Sequence, residues 1–165
     1  TSLASGAIDA AEWICPVADL GLGMHQAAKF YYGPGWHEPS TLLDLSIDLK
    51  EWEGLDADTQ ALMMEMAKAF NVDVFSRFQA LNGPALGKLL NEHGVQLKTF
   101  PDELLIALGN AAGEVMEERG SINSQTKAIC NHLLSFRKNI MDWSTKGESE
   151  FARIRNLPFK FPDSV

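Results

Sequence analysis

Tyr31-Tyr32-Gly33-Pro34-Gly35-Trp36-His37-Glu38-Pro39 sets aromatics, turn formers, an imidazole and a carboxylate side by side. A core does not need that mixture, and a ligand site often does. Gly33-Pro34-Gly35 cannot propagate a helix, so the backbone must turn there and display its neighbours. Trp36, His37 and Glu38 are therefore expected on a loop, where binding residues gather.

Upstream, residues 9 to 15 are short, apolar-rich and closed by Pro16, which predicts a buried strand running into a turn. Glu12 is the anomaly in that stretch. Buried, it would need a basic partner, a proton or a cation. If the strand end meets the aromatic loop, Glu12 and Glu38 could hold a hard cation between carboxylate oxygens, with backbone carbonyls filling the shell. The plainer reading makes Glu12 salt-bridged and Glu38 solvated. Tyr31, Tyr32 and Trp36 likewise fit either packing or the wall of a small-molecule pocket.

Downstream, Leu43, Leu45, Ile47 and Leu49 alternate with Asp44, Ser46, Asp48 and Lys50, which predicts a strand with one wet face. Asp56 can cap a helix whose apolar positions include Leu62, Met63, Met66, Ala69 and Phe70, with Gly83-Pro84 expected to kink or interrupt it. Gly94 suits a left-handed cap after Glu92-His93. A short strand is expected over residues 95 to 100, then a helix from Pro101-Asp102-Glu103 that buries Leu104, Leu105, Leu108, Ala112 and Val115. From residue 123 to about 156, Ile129, Leu133, Phe136, Ile140 and Trp143 form a seam suited to packing along another helix, with Gly147 interrupting it. That partner is either another part of the chain or a second copy of it. The class is α/β or α+β with helix in excess, and three short strands make a thin sheet better completed by segments outside this chain.

At 165 residues and 45% hydrophobic, the chain suits one globular domain. Its net charge of −8 argues against nucleic acid or an anionic membrane as partner. The start, Thr1 to Gly6, reads like the interior of a longer protein. Cys15 and Cys130 show no metal-ligand spacing, and they suit buried thiols or, in an oxidising compartment, a disulfide. His25, His37, His93 and His132 are scattered, and position 41 after His37 is Thr, so a zinc helix is not expected. The sequence contains no nucleophile elbow, no phosphate loop and no complete dinucleotide fingerprint, so enzyme function has no positive support.

Taken together, Ala10-Ala11-Glu12-Trp13 with Pro16, then Ala27-Ala28-Lys29-Phe30-Tyr31-Tyr32 through Pro34-Gly35-Trp36-His37-Glu38-Pro39, resemble the solute-binding proteins of tripartite ATP-independent periplasmic (TRAP) transporters. Glu92-His93-Gly94-Val95-Gln96-Leu97 with Phe100-Pro101 resembles a second block of that family. The resemblance implies an α/β fold: the helix-rich C-terminal half of a two-lobed periplasmic binding protein, with a long C-terminal helix and the upstream lobe absent. It implies a periplasmic protein that binds a small 2-oxo or 2-hydroxy acid, assisted by a sodium or calcium ion, and delivers it to a membrane permease. Carried over, Glu12 and Glu38 give carboxylate oxygens to the ion and Trp13 its carbonyl, while Trp13, Tyr32, Trp36 and His37 lie by the solute. The Arg that grips the solute carboxylate belongs to the other half. The long C-terminal helix is exchanged between protomers in some members, which would make the seam a homodimer contact. The competing expectation is a helical dimerisation module over residues 123 to 156 with no small-molecule ligand.

Overall fold

The computed structural model describes residues 2–38 and 43–162, so Pro39, the last residue of the aromatic stretch, lies outside the described residues. The chain divides into two compact units, Thr1–Pro101 and Asp102–Val165.

In the first unit, Pro16 opens helix α1 (Pro16–Gly21) from its first turn, where its missing N–H costs nothing. A 3₁₀ turn, Met24–Gln26, leads to strand β1 (Phe30–Gly33). Asp48 caps helix α2 (Leu49–Glu53) by accepting from the N–H groups of Lys50 and Glu51 at 2.9 and 3.2 Å. Helix α3 (Ala57–Asn91) follows, and strand β2 (Gln96–Thr99) closes the unit. The two strands run parallel, with Tyr31 opposite Leu97 and Tyr32 opposite Lys98. Parallel pairing requires a crossover, and α3 is that crossover.

Asp56 caps α3 as expected, its carboxylate accepting from the Thr59 N–H at 2.8 Å. Those hydrogen bonds hold the Asp56 carboxyl below the ordinary aspartate range. Because the folded value is the lower one, the cap contributes stability above the unfolded pKa, near 4, and loses it as pH falls through the folded value. Asp56→Asn should therefore flatten the acid limb of a denaturation-versus-pH profile, and an unchanged limb would contradict the capping account.

Of the two outcomes expected at Gly83-Pro84, interruption does not occur: α3 runs through Pro84 as one helix. Glycine before proline has no Cβ to meet the ring, which relieves part of the usual clash. At the far end Gly94 takes φ +66, and the Val95 N–H returns to the Leu89 carbonyl at 3.0 Å, closing the helix as a left-handed cap. The His93 ring lies 4.0 Å from the His25 ring, centroid to centroid.

Two expected strands do not form. Residues 9 to 15 are irregular, and Glu12 is half-exposed rather than buried. Residues 43 to 48 are also irregular, with Leu43 and Leu45 facing solvent, and Leu49 and Lys50 belong to α2. Alternation assigns faces, but a strand exists only when a neighbouring backbone takes its hydrogen bonds. Among the described residues that neighbour is present for β1 and β2 alone.

The second unit consists of α4 (Asp102–Gly120), α5 (Ser124–Ser144), a π-helical turn at Thr145–Ser149 and α6 (Glu150–Arg155). The long C-terminal segment is thus helical as expected, with Gly147 marking a π turn rather than a break. Asn123 and Thr126 form a reciprocal capping box at the start of α5. The helix packs on α4 through Cys130, whose thiol donates toward the Met116 carbonyl at 3.6 Å. Both Cys130 and Cys15 are free thiols, partly buried. On α4 only Leu105 and Leu108 of the expected core positions are partly buried; Leu104, Ala112 and Val115 are exposed. The seam residues Ile129, Leu133, Phe136 and Trp143 are also exposed, each by half or more. No helix among the described residues is long and apolar enough to cross a membrane.

Candidate functional site

Glu12 reaches its place from the irregular segment ahead of α1, and His37 and Glu38 from the turn after β1. One ligand atom from each of the three lies within 4.8 Å of the others. His37 Nε2 is 3.7 Å from Glu12 Oε2, with both side chains open to solvent at 40% and 51%. Two donors on opposite sides of a calcium ion stand about 4.8 Å apart, given ligand distances near 2.4 Å, so the spacing fits one ion. Two carboxylates also repel one another, and a cation between them removes that repulsion. An ion of 6 to 8 ligands would still need about half of its shell from backbone carbonyls, water or a bound solute.

The rings expected around the site are only partly gathered. Trp36 leans on His37, ring centroids 5.1 Å apart. Trp13, next to Glu12 in sequence, is half-exposed. Tyr32 stacks on Phe100 at 5.0 Å, which fixes its ring on β1 against the residue following β2. Tyr31, its neighbour, takes the opposite face of the strand by the period of two. Its hydroxyl donates to Asp19 Oδ2 at 2.5 Å. Burial, followed by that hydrogen bond and the Asp19 charge, pushes the Tyr31 hydroxyl above the ordinary tyrosine range, so it stays a donor at any physiological pH.

Sequence reading missed two features here. The closeness of His37 to Glu12 had no spacing signal, because the two lie on separate segments. The Asp19–Tyr31 bond was hidden because Asp19 reads as an ordinary acid of a short helix.

Residues 1–121 match the family model of the bacterial extracellular solute-binding proteins, family 7 (DctP). The chain belongs to this family. Within it, the chain is 35% identical over 150 residues to a monocarboxylate 2-oxoacid-binding periplasmic protein of a Nostoc species, covering 91% of this chain and 41% of that protein. Solved DctP-type folds agree. A TRAP transporter solute-binding protein of Bordetella bronchiseptica, a mixed-occupancy dimer with copurified calcium and picolinate in one active site, superposes with a TM-score of 0.83 at 30% identity, over 93% of this chain and 46% of that one. A TRAP periplasmic solute-binding protein of Colwellia psychrerythraea with calcium and pyruvate gives 0.83 at 30% identity, over 92% and 46%. One from Pseudoalteromonas atlantica with sodium and pyruvate gives 0.84 at 28% identity, over 96% and 47%. The DctP chain described here thus spans less than half the length of each of these relatives, and its fold is that of a TRAP solute-binding protein.

Proposed function

We propose that residues 1–165 are the C-terminal portion of an extracytoplasmic, periplasmic solute-binding protein of a TRAP transporter. It binds a small 2-oxo or 2-hydroxy acid through a bridging sodium or calcium ion and passes it to the membrane permease. The observation that carries this reading is the convergence of the Glu12 and Glu38 carboxylates from two separate segments.

The chemistry follows from charge. Two carboxylates alone repel an anion, whereas a cation between them presents a positive centre to the solute's carboxylate and keto oxygens. Glu12, Glu38 and the Trp13 carbonyl supply oxygen donors. His37 is better used by the solute than by the ion, because hard cations prefer oxygen to imidazole nitrogen. Its ring beside Glu12 can donate a hydrogen bond to a solute oxygen. Trp13 and Trp36 offer apolar faces to the carbon skeleton, with Tyr32 at the edge of the set. No bond is made or broken; the upstream lobe closes the site, and reopening releases the solute.

The exposed seam on α5 supports a second element of the reading, a homodimer through the C-terminal helix. Its apolar groove, lined by Ile129, His132, Leu133 and Phe136, offers a face for the same helix of another copy.

Thermal unfolding tests both. With calcium, sodium and a panel of 2-oxo acids, this chain joined to its upstream coding sequence should show a melting shift that requires acid and cation together. A concentration-dependent melt with no ligand shift would instead favour a dimerisation module.

A further inference from the structure

Neither segment that carries a candidate ligand has regular structure of its own. Among the described residues, no backbone hydrogen bond joins residues 8–14 to residues 34–38. Something else must set the distance between Glu12 and Glu38. The Asp19–Tyr31 bond is placed to do so, since it ties α1, which follows Glu12, to β1, which precedes Glu38. Glu12 precedes Asp19 by the same number of residues as Glu38 follows Tyr31, so the bond closes a symmetric pair of arms. Apart from the His37–Glu12 contact within the site, it is the one side-chain hydrogen bond or ion pair between these two elements and their arms among the described residues.

The bond is also a poor choice for stability alone. Asp19 is only 7% exposed, and its second oxygen, Oδ1, is buried without a protein partner. A buried carboxylate with half of its acceptors unused is costly, and an apolar pair of similar volume would hold α1 on β1 at least as well. What a short, directional bond adds is a fixed distance.

We infer that Asp19 and Tyr31 are positioning residues, a clasp that holds Glu12 and Glu38 at the separation one cation requires. The inference rests on the cation-bridged reading proposed above. Neither residue touches the ion; each acts through the segment it anchors. Outer partners of metal ligands typically change affinity by about 10- to 100-fold, and a clasp belongs at the lower end of that range.

The test is calorimetric titration of calcium into the EDTA-treated full-length protein at a fixed pyruvate concentration. Tyr31→Phe keeps the ring and loses the hydroxyl, and should weaken calcium about tenfold while leaving pyruvate affinity at saturating calcium within about twofold. Asp19→Asn retains a carbonyl acceptor for the hydroxyl and should bind calcium within about threefold of the parent. Asp19→Leu fills the space without an acceptor and should repeat the tenfold loss, which keeps the test decisive if Tyr31→Phe does not fold. Gly94→Ala, strained at φ +66 in the same unit, lowers stability by another route and should leave calcium affinity unchanged. Parent-like calcium affinity in Tyr31→Phe or Asp19→Leu, or an equal loss in Gly94→Ala, overturns the clasp and leaves the site reading standing. A parent protein whose pyruvate binding depends on neither calcium nor sodium overturns both.

Discussion

Glu12→Gln should lower calcium affinity by about 100-fold or more, because it exchanges an anionic ligand for a neutral carbonyl, and even outer partners of ligands are worth about 10- to 100-fold. Glu38→Gln should do the same, and the double variant little more, since the ion needs both negative charges to be held at all. The sign of the effect reverses without the ion. Glu12 and Glu38 then face each other as like charges, so either substitution should leave the metal-free melting temperature unchanged or slightly raised. The rise is small because Glu12 is half-exposed and solvent screens the pair. Calorimetric titration with calcium, paired with melting in EDTA, reads both signs. Lower stability in EDTA would show that Glu12 serves the fold through His37, and unchanged calcium affinity would remove it from the site.

Leu89→Ala should destabilise the first unit by about 2 to 5 kcal/mol, the usual cost of truncating a buried leucine. Leu89 is 2% exposed, and among the described residues only Ala85 and Val95 join it as buried apolar side chains. Its carbonyl also accepts the Val95 N–H that closes α3, so the same residue seats the helix end and the start of β2. With so few buried neighbours, little repacking is available to fill the cavity. Denaturant unfolding of the first unit should show the midpoint fall with an unchanged slope. A loss below about 1 kcal/mol would mean that this corner is not the core.

How much of this was legible in the sequence depends on whether a signal was local. Asp56 and Gly94 act on their own neighbours, and the helix boundaries they imply are the ones found. The alternating stretch from Leu43 to Ile47 was equally clear, yet it forms no strand, because its partner backbone is not a local property. The exposed apolar residues of α3, Leu62, Met66 and Phe70 among them, have the same origin. Their periodicity specified a buried face, and the chain spans 41% of its Nostoc relative, too little to supply every surface such a face packs against.

The site divides in the same way. Glu12 was legible as an out-of-place carboxylate beside Trp13, and Trp36, His37 and Glu38 as loop residues. That Glu12 would be solvent-open rather than buried was not legible, because the strand assigned to it needed a neighbour that the described residues do not supply. Nor was the Asp19–Tyr31 bond, which depends on α1 meeting β1. On its aromatic character Tyr32 fitted either packing or a pocket wall; its stacking on Phe100 appears only once β1 and β2 pair.

The most direct test of a cation-bridged acid site is isothermal titration of pyruvate into the full-length, EDTA-treated protein in sodium-free buffer, with and without added calcium or sodium. The account predicts saturable binding heat only when one of the two cations is present, and none in Glu12→Gln or Glu38→Gln at the same cation concentration. Equal pyruvate affinity with and without the cations, or binding that survives both substitutions, would contradict it.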